Sequence, residues 1–365
     1  MIEKLLNQYP LEDKLMFLLT RNDILENQKV LNLIQKTSLD SNLSFELFLG
    51  KVMFNRVNGV VYNNLKRLNI KINREVFMML EQTYFNQLNR NNLFLKYVDA
   101  ISDQLKKNKV KFIFLKGTVL NYTLYNDGER ISNDIDVLID YSDSKKVTDT
   151  LLEMGFSQGR AIHRDNTIEY ATKKEIMFSQ INTHELFPFI KYDKETESLI
   201  KVDIQFRVDS IFSKSLTSMF LENAMEWEIR ESIRIPSLPI EYFYVHLCAH
   251  LYREAISIGK IMENSDFMMY KLLDIYKMRI QLTHLNYEVI DSLIKENDEL
   301  EKSIIYVEFL LHLVFPDFEI WNIDFRDKDL FDRVLLDTRA NKWKNWEVPM
   351  QERISNINRR AIFDF

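Results

Sequence analysis

The run Ile200, Val202, Ile204, Phe206, Val208 alternates with Lys201, Asp203, Gln205, Arg207. Side chains two apart share a face only in a strand, so this stretch has one buried and one polar face. It lies inside a chain whose two ends follow the helical period. Leu5, Leu11, Leu15, Leu18 and Leu19 near the start, and the stripe Val76, Phe77, Leu80, Tyr84, Leu88, Phe94, Tyr97, Val98, Ile101, Leu105, recur near 3.6 residues. Asn73 is the expected N-cap of that long helix, which runs to Lys109. After Pro236 and Pro239 helical spacing returns, over Ile240 to Ile258, Phe267 to Leu282, Tyr287 to Glu296 and Glu301 to Val314. The expected organisation is an N-terminal helical region over 1–108, an α/β core over 109–235 and a C-terminal helical domain over 236–365. The fold class is α+β, a mixed sheet flanked by helices.

Within the core, Val110 to Leu115 is a short β-prone run ending in the turn Lys116-Gly117-Thr118, which leads into a short helix through Tyr125. Asp127-Gly128 turns the chain into a second strand, Asn133 to Asp140. Ser142 then caps a helix that Gly155 closes. Thr167 to Ala171 and Glu175 to Ile181 read as two further β-like stretches.

Composition removes several classes of function. The chain has 365 residues but only seven glycines, where average usage of about 7% gives roughly 25. Neither a GxGxxG nor a GxxxxGK loop is present, so phosphate chemistry falls to side chains and metal. With 48 Lys plus Arg against 54 Asp plus Glu, the molecule lacks the positive field that holds nucleic acid by backbone charge alone. A single cysteine, Cys248, forbids an intrachain disulfide and fits a reducing cytosol. No apolar run reaches the roughly 18 residues of a membrane span, and the first residues, with Glu3, Glu12 and Asp13, lack a secretory layout. A cytoplasmic location, away from membranes, is expected.

The chemistry points to Asp134 and Asp136. On a strand they share a face with Cα atoms about 6.5 to 7 Å apart, and like charges that close call for a cation. Hard oxygen ligands suit Mg²⁺ or Mn²⁺. Asp203, on the polar face of its own strand, is the third carboxylate if that strand lies antiparallel beside the first. Solvated charges on an edge strand are the plainer account of an Asp-x-Asp pair by itself.

The order Phe114-Leu-Lys-Gly-Thr118, Tyr125, Arg130, Asp134-Ile-Asp-Val-Leu-Ile139 and Gly155-Phe156 resembles the polymerase-β-type nucleotidyltransferase superfamily. It is most similar to the bacterial family of uncharacterised nucleotidyltransferases, densely over about 105–210 and more loosely at His246 to His250 and Leu273-Asp274. The resemblance implies metal-dependent transfer of NMP from an NTP, ATP being the expected one, with release of pyrophosphate. Asp134, Asp136 and Asp203 would hold the metals, Asp203 would take the acceptor's proton, and Gly117 and Thr118 would contact the triphosphate. Where many relatives have acid, apolar, His, aromatic, Arg, this chain has Asp203-Ile204-Gln205-Phe206-Arg207. The acceptor, a small molecule, a peptide or protein, or a tRNA, is not specified. The competing readings are a catalytically inactive module that senses nucleotide or binds a partner, and an NTP-using toxin or resistance factor.

Lys116 and Arg130 suit phosphate oxygens, Arg by its planar fork and Lys as a point charge; a salt bridge is the ordinary alternative. His246 and His250 share a helix face but lack a third zinc ligand, so a core role is expected. His184, His250 and Arg253 are candidates for lining the acceptor cleft between core and C-terminal helices. Lys342, Trp343, Lys344, Trp346, Arg353, Arg359 and Arg360 form a basic, aromatic strip, readable as an RNA or peptide surface but more simply as a stretch docked onto the domain surface with its tryptophans as buried anchors.

Overall fold

A computed structural model describes residues 2–162, 164–208, 214–230, 232–281, 285–295, 297–319, 328–337 and 341–363. The fold is mixed α/β with a mixed sheet. The chain divides into two compact units, one made of 1–87 with 244–365 and the other of 88–243. The helix Arg74–Lys107 gives its first turns to the former and the rest to the latter. Asn73 caps it as expected, its Oδ1 accepting from the N–H groups of Glu75 and Val76.

The unit 88–243 is built on a six-stranded sheet of β1 (Phe112–Phe114), β2 (Ile135–Ile139), β3 (Ser157–Ile162), β4 (Thr167–Tyr170), β5 (Phe189–Asp193) and β6 (Ser198–Gln205), in the order β1-β2-β6-β5-β3-β4. Only the β2–β6 pairing is parallel. β2 is antiparallel to β1, but the expectation that the Asp203 strand, β6, lies antiparallel beside it is corrected. β6 returns from β5 through a hairpin, and that reversal aligns it with β2. A second hairpin joins β7 (Met225–Arg230) and β8 (Ile233–Ser237), and Ser237 Oγ donates to the Phe114 carbonyl 2.7 Å away.

All five residues of β2 are buried, so this strand is covered on both faces. Ile135, Val137, Ile200, Val202 and Ile204 are wholly inaccessible and form the centre of the sheet. Burying each is worth about 1.5–3 kcal/mol. That packing holds the polar positions interleaved with them, Asp136 and Asp203, at fixed height.

The stretch expected as a strand over Glu175 to Ile181 is instead the helix Lys173–Asn182. Thr172 and Glu175 form a reciprocal capping box, with two backbone donors satisfied at the helix start, and this outweighs the β-prone run Ile176-Met177-Phe178. Gly155 ends the preceding helix with φ +83°, as a C′ glycine should.

The unit 1–87 with 244–365 is mainly helical. Its C-terminal part carries β9 (Arg333–Asp337) paired with β10 (Lys342–Asn345). Trp346 packs there with Ile261, Val334 and Phe363. Arg353 and Arg359 are wholly buried: both guanidinium groups lie against Asp266, at 2.9 and 3.5 Å, and Arg353 stacks over the Trp346 ring. Trp346, Arg353 and Arg359 are thus interior anchors, which removes them from any RNA-facing strip. Among the described residues, no helix is long and apolar enough to cross a membrane.

Candidate active site

The turn before the helix Gly117–Thr123 begins the site. Lys116 adopts φ 48° and ψ −128°, a conformation that costs a non-glycine residue about 1–3 kcal/mol. Its side chain leads back to β2, where Nζ lies 2.8 Å from Asp136 Oδ1. Gly117 is required by contact: a Cβ would stand 2.2 Å from Ser132 Oγ and 2.3 Å from Arg130 Nη1. Thr118 fastens the turn to the strand, since its Oγ accepts from the Asp136 N–H at 3.1 Å and its own N–H donates to the Leu115 carbonyl.

Arg130 is buried beneath this turn. Its Nη1 donates to Asn121 Oδ1 at 3.1 Å and to Ser132 Oγ at 2.8 Å. Arg90, which the sequence did not single out, grips the next residues from the long helix. Its Nε donates to the Ser132 carbonyl and its Nη2 to that of Asn133. The segment delivering Asp134 is therefore held from two sides.

Asp136 and Asp203 are direct register partners across the parallel β2–β6 pair. Asp134 lies just before β2. Side-chain exposure rises from 8% at Asp136 through 13% at Asp203 to 35% at Asp134, so the group opens to solvent on the Asp134 side. Lys201, two residues before Asp203 on the same face, places Nζ 2.6 Å from Asp203 Oδ2 and 3.7 Å from Asp134 Oδ2. Gln205 donates from Nε2 to Asp136 Oδ1 at 3.3 Å. Lys201, Gln205 and Arg90 are the site residues that sequence reasoning missed. The first two carry a signal in the alternation of β6.

Burial dominates the electrostatics. Desolvation raises the Asp203 carboxyl to about 7, against the opposing pull of Lys201 and with help from Asp134 and Asp136. Asp136 is raised for the same first cause, with Lys116 lowering it in part. The Lys201 ammonium is held above its ordinary value because its three aspartate neighbours outweigh its own desolvation. Asp203 Oδ1 is buried with no hydrogen-bond partner among the described residues. In that same set, no three Asp, Glu, His or Cys groups stand arranged to hold a metal ion. The two lysines take the counter-charge role.

His184 enters through its backbone, its carbonyl accepting from the Phe206 N–H while Glu185 bridges Gln205. Elsewhere, His246 is buried and its ring stacks on His250, whose Nε2 lies 3.5 Å from Glu254 Oε2. Cys248 is buried and desolvation pushes its thiol upward, as inert packing requires.

Among solved structures, the chain is similar to an antigenic nucleotidyltransferase-like protein from Paracoccidioides brasiliensis at 11% identity and a TM-score of 0.29, over 57% of this chain and 91% of that one. No curated protein matches. The family described as uncharacterised nucleotidyltransferases matches residues 42–316, most of the chain and the whole of the aspartate site, and the protein belongs to that family.

Proposed function

We propose that the protein transfers a nucleoside monophosphate from an NTP, ATP in the first instance, to an acceptor with release of pyrophosphate. The observation that carries this reading is the pairing of Asp136 and Asp203 at one level of adjacent strands, with Asp203 Oδ1 buried and without a hydrogen-bond partner among the described residues. Asp134, Asp136 and Asp203, ion-paired to Lys116 and Lys201, bring together carboxylate oxygens of the hard type that Mg²⁺ or Mn²⁺ prefers. Asp134, Asp136 and Asp203 would hold the ion, which when bound supplies charge neutralisation and polarisation of the α-phosphate.

The chain's own residues do the rest. Asp203, buried beside Asp136, takes the proton from the attacking hydroxyl or amine of the acceptor. The acceptor atom bonds to the α-phosphorus as the bond to the pyrophosphate oxygen breaks. Lys116, at the Gly117 turn, is the cation for the departing phosphates. Arg130 and Thr118 serve by fixing that turn, through the bonds that bury them. The acceptor is a small molecule, a peptide or protein, or a tRNA, and the single buried thiol fits a cytoplasmic setting.

A second reading, an inactive module that senses nucleotide, draws on one observation: Lys116 and Lys201 already pair with Asp136 and Asp203 and offset two of the three carboxylate charges. NTPs labelled at the α-phosphorus, incubated with the protein, Mg²⁺ and cell extract, separate the two. Transfer predicts label on an acceptor, lost in Asp136→Asn together with Mg²⁺-dependent NTP binding. Asp203→Asn keeps NTP binding and loses transfer. A thermal shift with NTP but no pyrophosphate release supports the module instead; about 2.7 kcal/mol of stabilisation is expected at 100 times Kd.

A further inference from the structure

One charge in the site has a role that the transfer chemistry leaves open. Lys201 stands on β6 opposite Ile190 and shares the polar face with Asp203 because strand side chains repeat every second residue. Its ammonium lies between the two carboxylates that flank Asp136, at 2.6 Å from Asp203 and 3.7 Å from Asp134. Asp203 uses only Oδ2 in that contact and leaves Oδ1 buried without a hydrogen-bond partner among the described residues. Such an arrangement holds the two carboxylates near one another with one of their two charges offset, and leaves an oxygen and a residual negative charge for a further cation. A lysine is suited to this, being a compact charge on a flexible stem that swings away without moving the strand. With its side chain one-third exposed, a path to solvent is available.

We propose that Lys201 is a tethered counter-cation: it holds Asp134 and Asp203 in the metal-free protein, yields its place when a divalent cation enters, and so sets the metal affinity of the site. The inference rests on the reading of Asp134, Asp136 and Asp203 as metal ligands. Lys201 is a positioning residue in this account, acting through the two aspartates.

The test measures Mn²⁺ binding to the protein alone, without nucleotide, by electron paramagnetic resonance of the free ion. Removing the competing ammonium in Lys201→Met is expected to tighten Mn²⁺ binding by about tenfold, equal to about 1.4 kcal/mol. The metal-free melting temperature of Lys201→Met should fall below that of wild type, and saturating Mn²⁺ should close the gap. Lys201→Arg, whose fork spans two carboxylates, should bind Mn²⁺ no more tightly than wild type. Lys201→Gln serves if the Met variant does not fold without metal, and folding restored by Mn²⁺ would itself support the proposal. Mn²⁺ affinity unchanged or weaker in a folded Lys201→Met or Lys201→Gln overturns it while leaving the metal site intact. If neither wild type nor variant binds Mn²⁺, the underlying reading of the aspartates fails as well.

Discussion

Replacing Gly117 by alanine sets two physical effects against each other. Gly117 opens the helix Gly117–Thr123, and helix propensity alone favours alanine by about 1 kcal/mol. Contact says the reverse. The new methyl carbon would meet Ser132 Oγ at 2.2 Å and Arg130 Nη1 at 2.3 Å. Neither atom is free to move, because Nη1 donates to both Asn121 Oδ1 and Ser132 Oγ, and Ser132 Oγ donates to Asn121 Oδ1. Overpacking of this kind costs about 1–3 kcal/mol, and loss of one charge-assisted buried hydrogen bond adds about 1.5–3 kcal/mol. After the propensity gain, a net loss of about 1.5–5 kcal/mol remains. At about 2–4 °C per kcal/mol for a unit of this size, the melting temperature falls by roughly 3–20 °C. Differential scanning calorimetry of Gly117→Ala reads the shift, and Ser132→Gly in the same chain should recover part of it by removing the nearer atom. A Gly117→Ala variant as stable as wild type, or more so, would refute the steric argument for this turn.

Three other outcomes are expected. In metal-free buffer, Asp203 retains a proton in the folded chain that the unfolded chain releases near pH 4. Its contribution to stability is therefore complete below that pH and is lost as pH rises through about 7. Urea unfolding from pH 4 to 8 should show Asp203→Asn with a shallower decline, by up to about 4 kcal/mol across the range; an unchanged slope contradicts the assignment. Lys116→Met leaves buried Asp136 with the Gln205 amide and destabilises by about 3 kcal/mol at pH 8. It costs less at pH 5, because burial already raises the Asp136 carboxyl; equal losses at both pH values would count against that. Asp266→Ala strands two buried guanidinium groups and should destabilise the helical unit by about 3–5 kcal/mol in thermal unfolding. The exposed Arg360→Ala should change it by less than about 0.5 kcal/mol.

Much of the site was legible because strand alternation is strict. The same rule that put Asp203 on a polar face puts Lys201 and Gln205 there too, although only the acid stood out as chemistry. The direction of β6 was not legible: register between strands some sixty residues apart depends on the β5–β6 hairpin, and no local signal in either strand encodes it. Arg90 was hidden for a related reason, since nothing near it in the long helix marks the carbonyls of Ser132 and Asn133 as its targets. The helix Lys173–Asn182 was missed for a different cause. Its apolar residues Met177, Phe178 and Ile181 are exposed, so no buried stripe imprints the 3.6 period, and only Thr172-x-x-Glu175 announces it. Arg353 and Arg359 look like surface charge in the sequence, because a buried guanidinium is defined by its partner, and Asp266 lies far away in the chain.

Calorimetric titration of the protein with ATP and the other NTPs, with Mg²⁺ and with EDTA, tests the central claim most directly. Binding that requires Mg²⁺ in wild type, persists in Asp203→Asn and disappears in Asp136→Asn is the result expected of a metal-nucleotide site on these strands. Binding of equal strength in EDTA, or undiminished in Asp136→Asn, would contradict it.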